Sequence, residues 1–151
     1  MELKEYLRGV ELFNGLTEEE LDQVCLISRE KAVHSGASIM RQDERGDELF
    51  IITQGMVEVS LSSSLKEKIV VNLGAGQIVG EMALVDGGSR SANVRAISDP
   101  TLLETIKRRD FDELCEKNTH LGYIVMRNLA VDLSFKLRHR NLSERGEDGG
   151  L

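Results

Sequence analysis

The chain is 151 residues long, room for one domain of ordinary size, and its 40% hydrophobic and 30% charged content suits a soluble fold with one sizeable core rather than disorder. With 26 acidic against 19 basic side chains its formal charge is -7, which excludes the broad basic face that non-specific nucleic-acid binding requires. One small anion held at a local positive site remains compatible with that balance. No stretch approaches the roughly 20 apolar residues of a membrane helix. The polar start Met1-Glu2-Leu3-Lys4-Glu5 lacks the order of a signal peptide.

Residues 1 to about 30 read as helical. Thr17 and Glu20 form a capping box before Leu21, Val24 and Cys25, with Leu16 and Leu21 as the accompanying staple. Ser28 is expected to end that helix. From about Lys31 to Lys107 the period changes to short β-rich runs separated by glycines. These runs are Leu49–Ile52, Met56–Val59, Lys68–Val71, Ala92–Ala96 and Leu102–Ile106. Strands at this spacing indicate a sandwich, jelly roll or barrel. The sole proline, Pro100, falls in a turn.

Helix returns near Asp110, whose acidic first turn favours the helix dipole. A longer helix follows from Asn118 or Thr119, where Leu121, Val125, Leu129, Leu133 and Leu137 step by four. Ile124, Met126 and Ala130 widen that stripe, so this helix is expected to touch both its own barrel and something else, such as a twin helix. The binding domain is expected over 1–141, with a flexible tail over 142–151.

Chemistry of the catalytic or metal kind finds no support. His34, His120 and His139 lack ligand spacing, and no GxSxG or Walker loop is present. Cys25 and Cys115 form no CxxC and read as buried free thiols. The expectation is a non-enzymatic protein of a reducing cytoplasm, with no metal and no cofactor.

The most informative run is Ile78 to Ala92. Gly80 allows a tight exit from a strand into one helical turn, whose free N–H groups suit an anion. Gly87-Gly88 reverses the chain, and Arg90-Ser91-Ala92 returns a guanidinium and a hydroxyl to that turn. Arginine matches phosphate with a fork of donors. A carboxylate at Glu81 suits a hydroxyl donor such as a ribose 2′-OH. By spacing alone, a surface hairpin with an Arg90–Glu81 ion pair is an equal reading.

The run resembles the phosphate-binding cassette of cyclic nucleotide-binding domains, a Gly-Glu, a short helix, then Arg-Ser/Thr/Ala-Ala. Leu12–Thr17, Gly46–Ile52, Gly55–Val59 and Phe111–Leu114 with the long helix resemble the rest of that family in order, over roughly Leu7 to Asn141. The resemblance implies an antiparallel β jelly roll (a double-stranded β-helix), mainly β with flanking N-terminal helices and a C-terminal lid helix. It implies that Glu81 takes the ribose 2′-OH and Arg90 the cyclic phosphate. The N–H groups of Ala83, Leu84 and Ala92 and the Ser91 hydroxyl would complete the phosphate shell, beside Met82, with Gly80 permitting close approach. Val70, Val71 and Leu73 become candidates for the base face.

Asp43 stands where the family often has glycine. That turn is expected to lie away from the cassette, so the departure bears on loop geometry rather than on binding. The lid stretch Phe135-Lys136-Leu137-Arg138 lacks the small hydroxyl residues of the activator branch, which leaves Leu137, Arg138 or Arg140 as candidate caps on the base. The implied function is a sensor for a cyclic nucleotide, cyclic AMP favoured and cyclic GMP left open by Ser91. Movement of the C-terminal helix would carry the signal, with a homodimer through that helix expected and no nucleic-acid or membrane partner. The chain ends ten residues after Asn141, too short for a helix-turn-helix, which argues against that mode of DNA binding. A sensor excised from a regulator, channel or kinase, and a ligand-free scaffold of the same fold, are the alternatives. A jelly-roll metalloenzyme would need a histidine and carboxylate cluster that the sequence lacks.

Overall fold

A computed structural model describes residues 2–147, apart from the side chains of residues 140–147. Helix α1 (Leu3–Arg8), a single 3-10 turn (Glu11–Phe13) and α2 (Glu18–Leu26) precede eight strands. The capping box forms as its residues dictate: Thr17 Oγ1 accepts from the Glu20 N–H at 3.1 Å, and the Glu20 carboxylate accepts from the Thr17 N–H at 3.0 Å. Ser28 closes α2 by donating its hydroxyl to the Val24 carbonyl at 2.9 Å, and the first strand begins at that residue.

The strands are β1 (Ser28–Val33), β2 (Ser38–Met40), β3 (Glu48–Gln54), β4 (Val57–Ser62), β5 (Glu67–Leu73), β6 (Ile78–Val79), β7 (Asn93–Ala96) and β8 (Thr101–Lys107). All pair antiparallel, in two four-stranded sheets ordered β1-β8-β3-β6 and β2-β7-β4-β5. This is the jelly roll with flanking helices that the family resemblance implied, one of the three β architectures that strand spacing had left open. Helix α3 (Ala83–Asp86) interrupts the path from β6 to β7, and α4 (Arg108–Lys117) and α5 (Thr119–Glu147) close the chain. α5 runs to Glu147, and of the tail expected over 142–151, residues 148–151 lie outside the described residues. Among the described residues no helix is long and apolar enough to cross a membrane.

β3 explains why Leu49–Ile52 is a continuous apolar run rather than an alternating one. Successive side chains of a strand point to opposite faces, and here both faces are covered. Phe50 and Ile52 join Met40, Val57, Val79, Val94 and Leu103 between the sheets. Leu49 and Ile51 join Leu7, Phe13, Phe111, Leu121, Val125 and Leu129 beneath the helices. Burying each such side chain stabilises by roughly 1.5–3 kcal/mol, so β3 is the common wall of two cores. Cys25 and Cys115 pack at the edge of the helical core as half-buried free thiols, rather than fully buried ones. Burial, with Asp112 nearby, pushes the Cys115 thiol up to about 11.

α5 corrects the reading of its own stripe. Leu121, Val125 and Leu129 are buried, but Leu137 is 59% exposed. Each step of four overshoots the 3.6-residue turn by about 40°, so four steps carry Leu137 about 160° round the helix from Leu121. The face that looks at the barrel continues instead through Asp132 and Lys136.

Candidate functional site

The return of the chain from β6 to β7 assembles one small site. Gly80 leaves β6 with φ 80°, in the left-handed region that side chains avoid. A Cβ there would press on the Glu48 carbonyl at 2.9 Å and on the Arg90 guanidinium at 2.8 Å. Leu84, 2% exposed, pins the short α3 into the helical core. Beyond Gly87 and Gly88 the chain runs back against residues 43–46.

That last contact overturns the placement expected for Asp43. The Asp43 N–H donates to the Arg90 carbonyl at 2.9 Å, and the Arg90 N–H donates to the Glu44 carbonyl at 2.7 Å. Arg45 bridges Ser89, and the Gly46 N–H donates to the Gly88 carbonyl at 3.2 Å. The turn is therefore the frame of the cassette, not a distant loop. Asp43 holds φ 71°, a conformation that aspartate tolerates better than most side chains.

Arg90 is held from three sides. Its Nη1–H donates to the Glu48 carbonyl at 2.8 Å, its guanidinium carbon stands 5.5 Å from the Phe50 ring centroid, and the Gly46 backbone lies flush beneath it. Burial lowers its pKa from the usual arginine value, against the opposing charges of Glu48 and Asp47. Among the described residues it enters no ion pair, so the hairpin reading with an Arg90–Glu81 pair does not hold. It lines a cavity of about 90 Å³.

Gly80, Glu81, Met82, Ala83, Arg90 and Ser91, all expected from the sequence, line this cavity together with Met40, Asp86, Gly88 and Ser89. The other expected residues stand elsewhere. Leu84 and Ala92 are buried, and the Ala83 and Leu84 N–H groups already donate to the Gly80 and Glu81 carbonyls at 3.1 and 3.2 Å. Val70 and Val71 are exposed on β5, where the pairing shifts register between Val59–Val71 and Ser60–Ile69. Leu73 packs against the core between the sheets. Leu137 is exposed, and Arg138 lines a groove on the outer face of α5 with Val131 and Phe135. The Arg140 side chain lies outside the described residues.

α5 does reach the site, through a residue the sequence reading passed over. Lys136 Nζ donates to Glu81 Oε1 at 2.7 Å and pairs with Asp132 Oδ2, one turn back, at 3.0 Å. Burial pulls the Lys136 pKa down, but the hydrogen bond and charge of Glu81, joined by Asp132, outweigh it and hold the ammonium above the usual lysine range. The Glu81 side chain is only 13% exposed beneath it. The signal available in the sequence was the 3.6-residue phase, which places position 136 one heptad beyond buried Leu129. Among the described residues no group of three or more His, Cys, Asp or Glu could hold a metal ion.

Comparison with known proteins agrees with this architecture. A family model of the cyclic nucleotide-binding domain matches residues 30–118. The cyclic AMP receptor protein of Thermus thermophilus is 31% identical over 137 residues, 90% of this chain and 61% of that protein. The crystal structure of the Thermus thermophilus catabolite activator protein superposes with a TM-score of 0.81 at 30% identity, over 91% of this chain and 63% of that one. The regulatory domain of Toxoplasma gondii PKA, co-crystallised with cAMP, gives a TM-score of 0.69 at 31% identity, over 74% of this chain and 42% of that one. This chain spans less than two thirds of the length of each.

Proposed function

This chain belongs to the cyclic nucleotide-binding domain family, and we propose that within it the protein is a non-enzymatic sensor whose ligand is cyclic AMP. The observation that carries this reading is the convergence of the Arg90 guanidinium and the Glu81 carboxylate on one cavity. Arg90 offers a preset fork to the cyclic phosphate, and its bond to the Glu48 carbonyl fixes that fork before any ligand arrives. Ser91 adds a hydroxyl donor beside it. Glu81 accepts the ribose 2′-OH. Cyclic AMP is put before cyclic GMP because the similar cyclic AMP receptor protein matches 90% of this chain, whereas the similar cGMP-dependent protein kinases match 72–75% of it.

At about 90 Å³ the cavity is smaller than the roughly 300–1,000 Å³ of pockets that enclose whole ligands. It therefore holds the phosphate end, and the base extends towards β5 and α5. Preferential binding to one position of α5 shifts the helix population by the difference in affinity, and α5 passes that shift to a partner. The outer face of α5 suits a second copy of the chain, and the free thiols suit a reducing cytoplasm. Relatives of greater length place such a domain within larger proteins, so the output of this sensor is a further segment or another chain.

Calorimetric titration with cyclic AMP and cyclic GMP, repeated on Arg90→Leu, tests the reading. The unaltered protein binds cyclic AMP more tightly, and Arg90→Leu loses at least about tenfold in affinity, as removal of a charge-assisted bond should. Absence of binding of either nucleotide up to millimolar concentration overturns the sensor. Unchanged affinity in the variant overturns the role of Arg90.

A further inference from the structure

Lys136 and a ribose 2′-hydroxyl call on the same acceptor, since the charged ammonium and the neutral hydroxyl each offer a hydrogen to the Glu81 carboxylate. The Glu81 carboxylate is nearly enclosed, 13% exposed, and the lysine ammonium is its partner at 2.7 Å. Glu81 and Arg90 line the same cavity, so a ligand whose phosphate meets Arg90 brings its ribose hydroxyl to the Lys136–Glu81 pair. We infer that Lys136 is a competitor built into the chain, which a cyclic nucleotide displaces from Glu81 through its 2′-hydroxyl. The inference rests on the reading of Glu81 as the ribose acceptor.

Two features make the exchange a workable one. The displaced ammonium keeps a partner, because Asp132 Oδ2 already holds it from the same helix at 3.0 Å. The exchange also acts on a defined part of α5. The first half of that helix is anchored by buried Leu121, Val125 and Leu129, and by Asn128, which donates to the Leu12 and Asn14 carbonyls. Beyond Leu133, the Lys136–Glu81 pair is the one polar tie between α5 and the barrel among the described residues. Displacing Lys136 therefore frees the distal half and leaves the proximal half in place. The hydroxyl becomes the discriminating group, because a ligand without it has nothing to exchange.

The test compares the full chain with Lys136→Met, which keeps the apolar stem and removes the ammonium, by calorimetric titration with cyclic AMP and with 2′-deoxy cyclic AMP. Surface pairs of this kind correspond to about two- to fivefold in an equilibrium constant. Lys136→Met is expected to bind cyclic AMP tighter by about that factor and to bind the 2′-deoxy ligand as the unaltered chain does. Equal affinities for cyclic AMP, weaker binding by the variant, or a gain shared equally by the deoxy ligand would each overturn the competition while leaving the sensor intact. Failure of both proteins to bind either nucleotide would instead overturn the reading of the site, and the competition with it.

Discussion

A methyl group on Gly46 would overlap the guanidinium of Arg90. The two residues lie 44 positions apart, yet the glycine is the floor on which that guanidinium rests, and the ladder from Asp43 to Gly46 brings it there. Gly46→Ala should therefore push the guanidinium off the Glu48 carbonyl without removing any charge. We expect at least about tenfold weaker binding of cyclic AMP, of the order found when a charge-assisted hydrogen bond is lost. Because Arg90 and Gly46 belong to neither apolar core, thermal stability should fall far less than affinity. Calorimetry and thermal unfolding of the same variant separate the two.

Glu20 offers a prediction about pH. It is 5% exposed, yet it is ionised in a ring of donors: the Thr17 N–H, Asn118 Nδ2 at 3.0 Å and His120 Nδ1 at 2.8 Å. Burial alone would raise its pKa, but the bonds from Thr17, His120 and Asn118 outweigh burial and lower it from the ordinary value. A group whose folded pKa is depressed adds stability that is present above the unfolded value, about 4.3 for glutamate, and lost as the pH falls through the folded one. Glu20→Gln should cost about 1–2 kcal/mol at neutral pH and should flatten the fall in stability below about pH 4.3. Urea unfolding from pH 3 to 7 reads both; an equally steep acid limb in the variant would show that other carboxylates govern it.

Glu104 behaves in the opposite sense. It stands directly across from Glu30 on the β1–β8 pair, and burial, then the charge of Glu30, raise its pKa against the weaker pull of Arg29. The raised value means that ionisation disfavours the fold, so this part of the stability falls as the pH climbs through the ordinary glutamate range. Glu30→Lys turns a repulsive cross-strand pair into an attractive one, and a gain of about 0.5 kcal/mol at neutral pH is expected. The gain should shrink as the pH falls and Glu104 takes up its proton. Stability measured at pH 7 and at pH 4 decides the matter.

What could be read in the residues, and what could not, follows from the range of each signal. Thr17-x-x-Glu20 and the Ile78–Ala92 run are short-range patterns in which every determinant is within a few positions: the capping box forms, and Gly80, Glu81, Met82, Ala83, Arg90 and Ser91 come to line one cavity. β1 and β2 went unread because Ser28–Val33 is exposed along most of its length and Ser38–Met40 is three residues long, so neither carries an apolar period. The Asp43 turn was misplaced because its partners, Ser89 and Arg90, are distant in the chain and are joined to it only by the backbone. Lys136 escaped because a step of four, harmless over two turns, changes face over four. For the two strands and the Asp43 turn the missing information lay in tertiary pairing, whereas for Lys136 it lay in the helical phase.

The outer face of α5 carries the last prediction. Val131 and Phe135 are 62% and 60% exposed and share a groove with Ala130, Ser134 and Arg138, on the side away from buried Leu121, Val125 and Leu129. The Phe135 ring centroid lies 4.0 Å from that of His139, which widens the apolar ridge along the helix. Large side chains left open at i and i+4 on a helix already anchored by its opposite face are the seam that a second helix covers by knobs-into-holes packing. Light scattering should therefore report a dimer at tens of micromolar, and Phe135→Glu, which places a charge on the seam, should give monomers. That variant leaves Lys136 and Glu81 untouched, so its monomer should still bind cyclic AMP. A chain that is monomeric before substitution overturns the dimer.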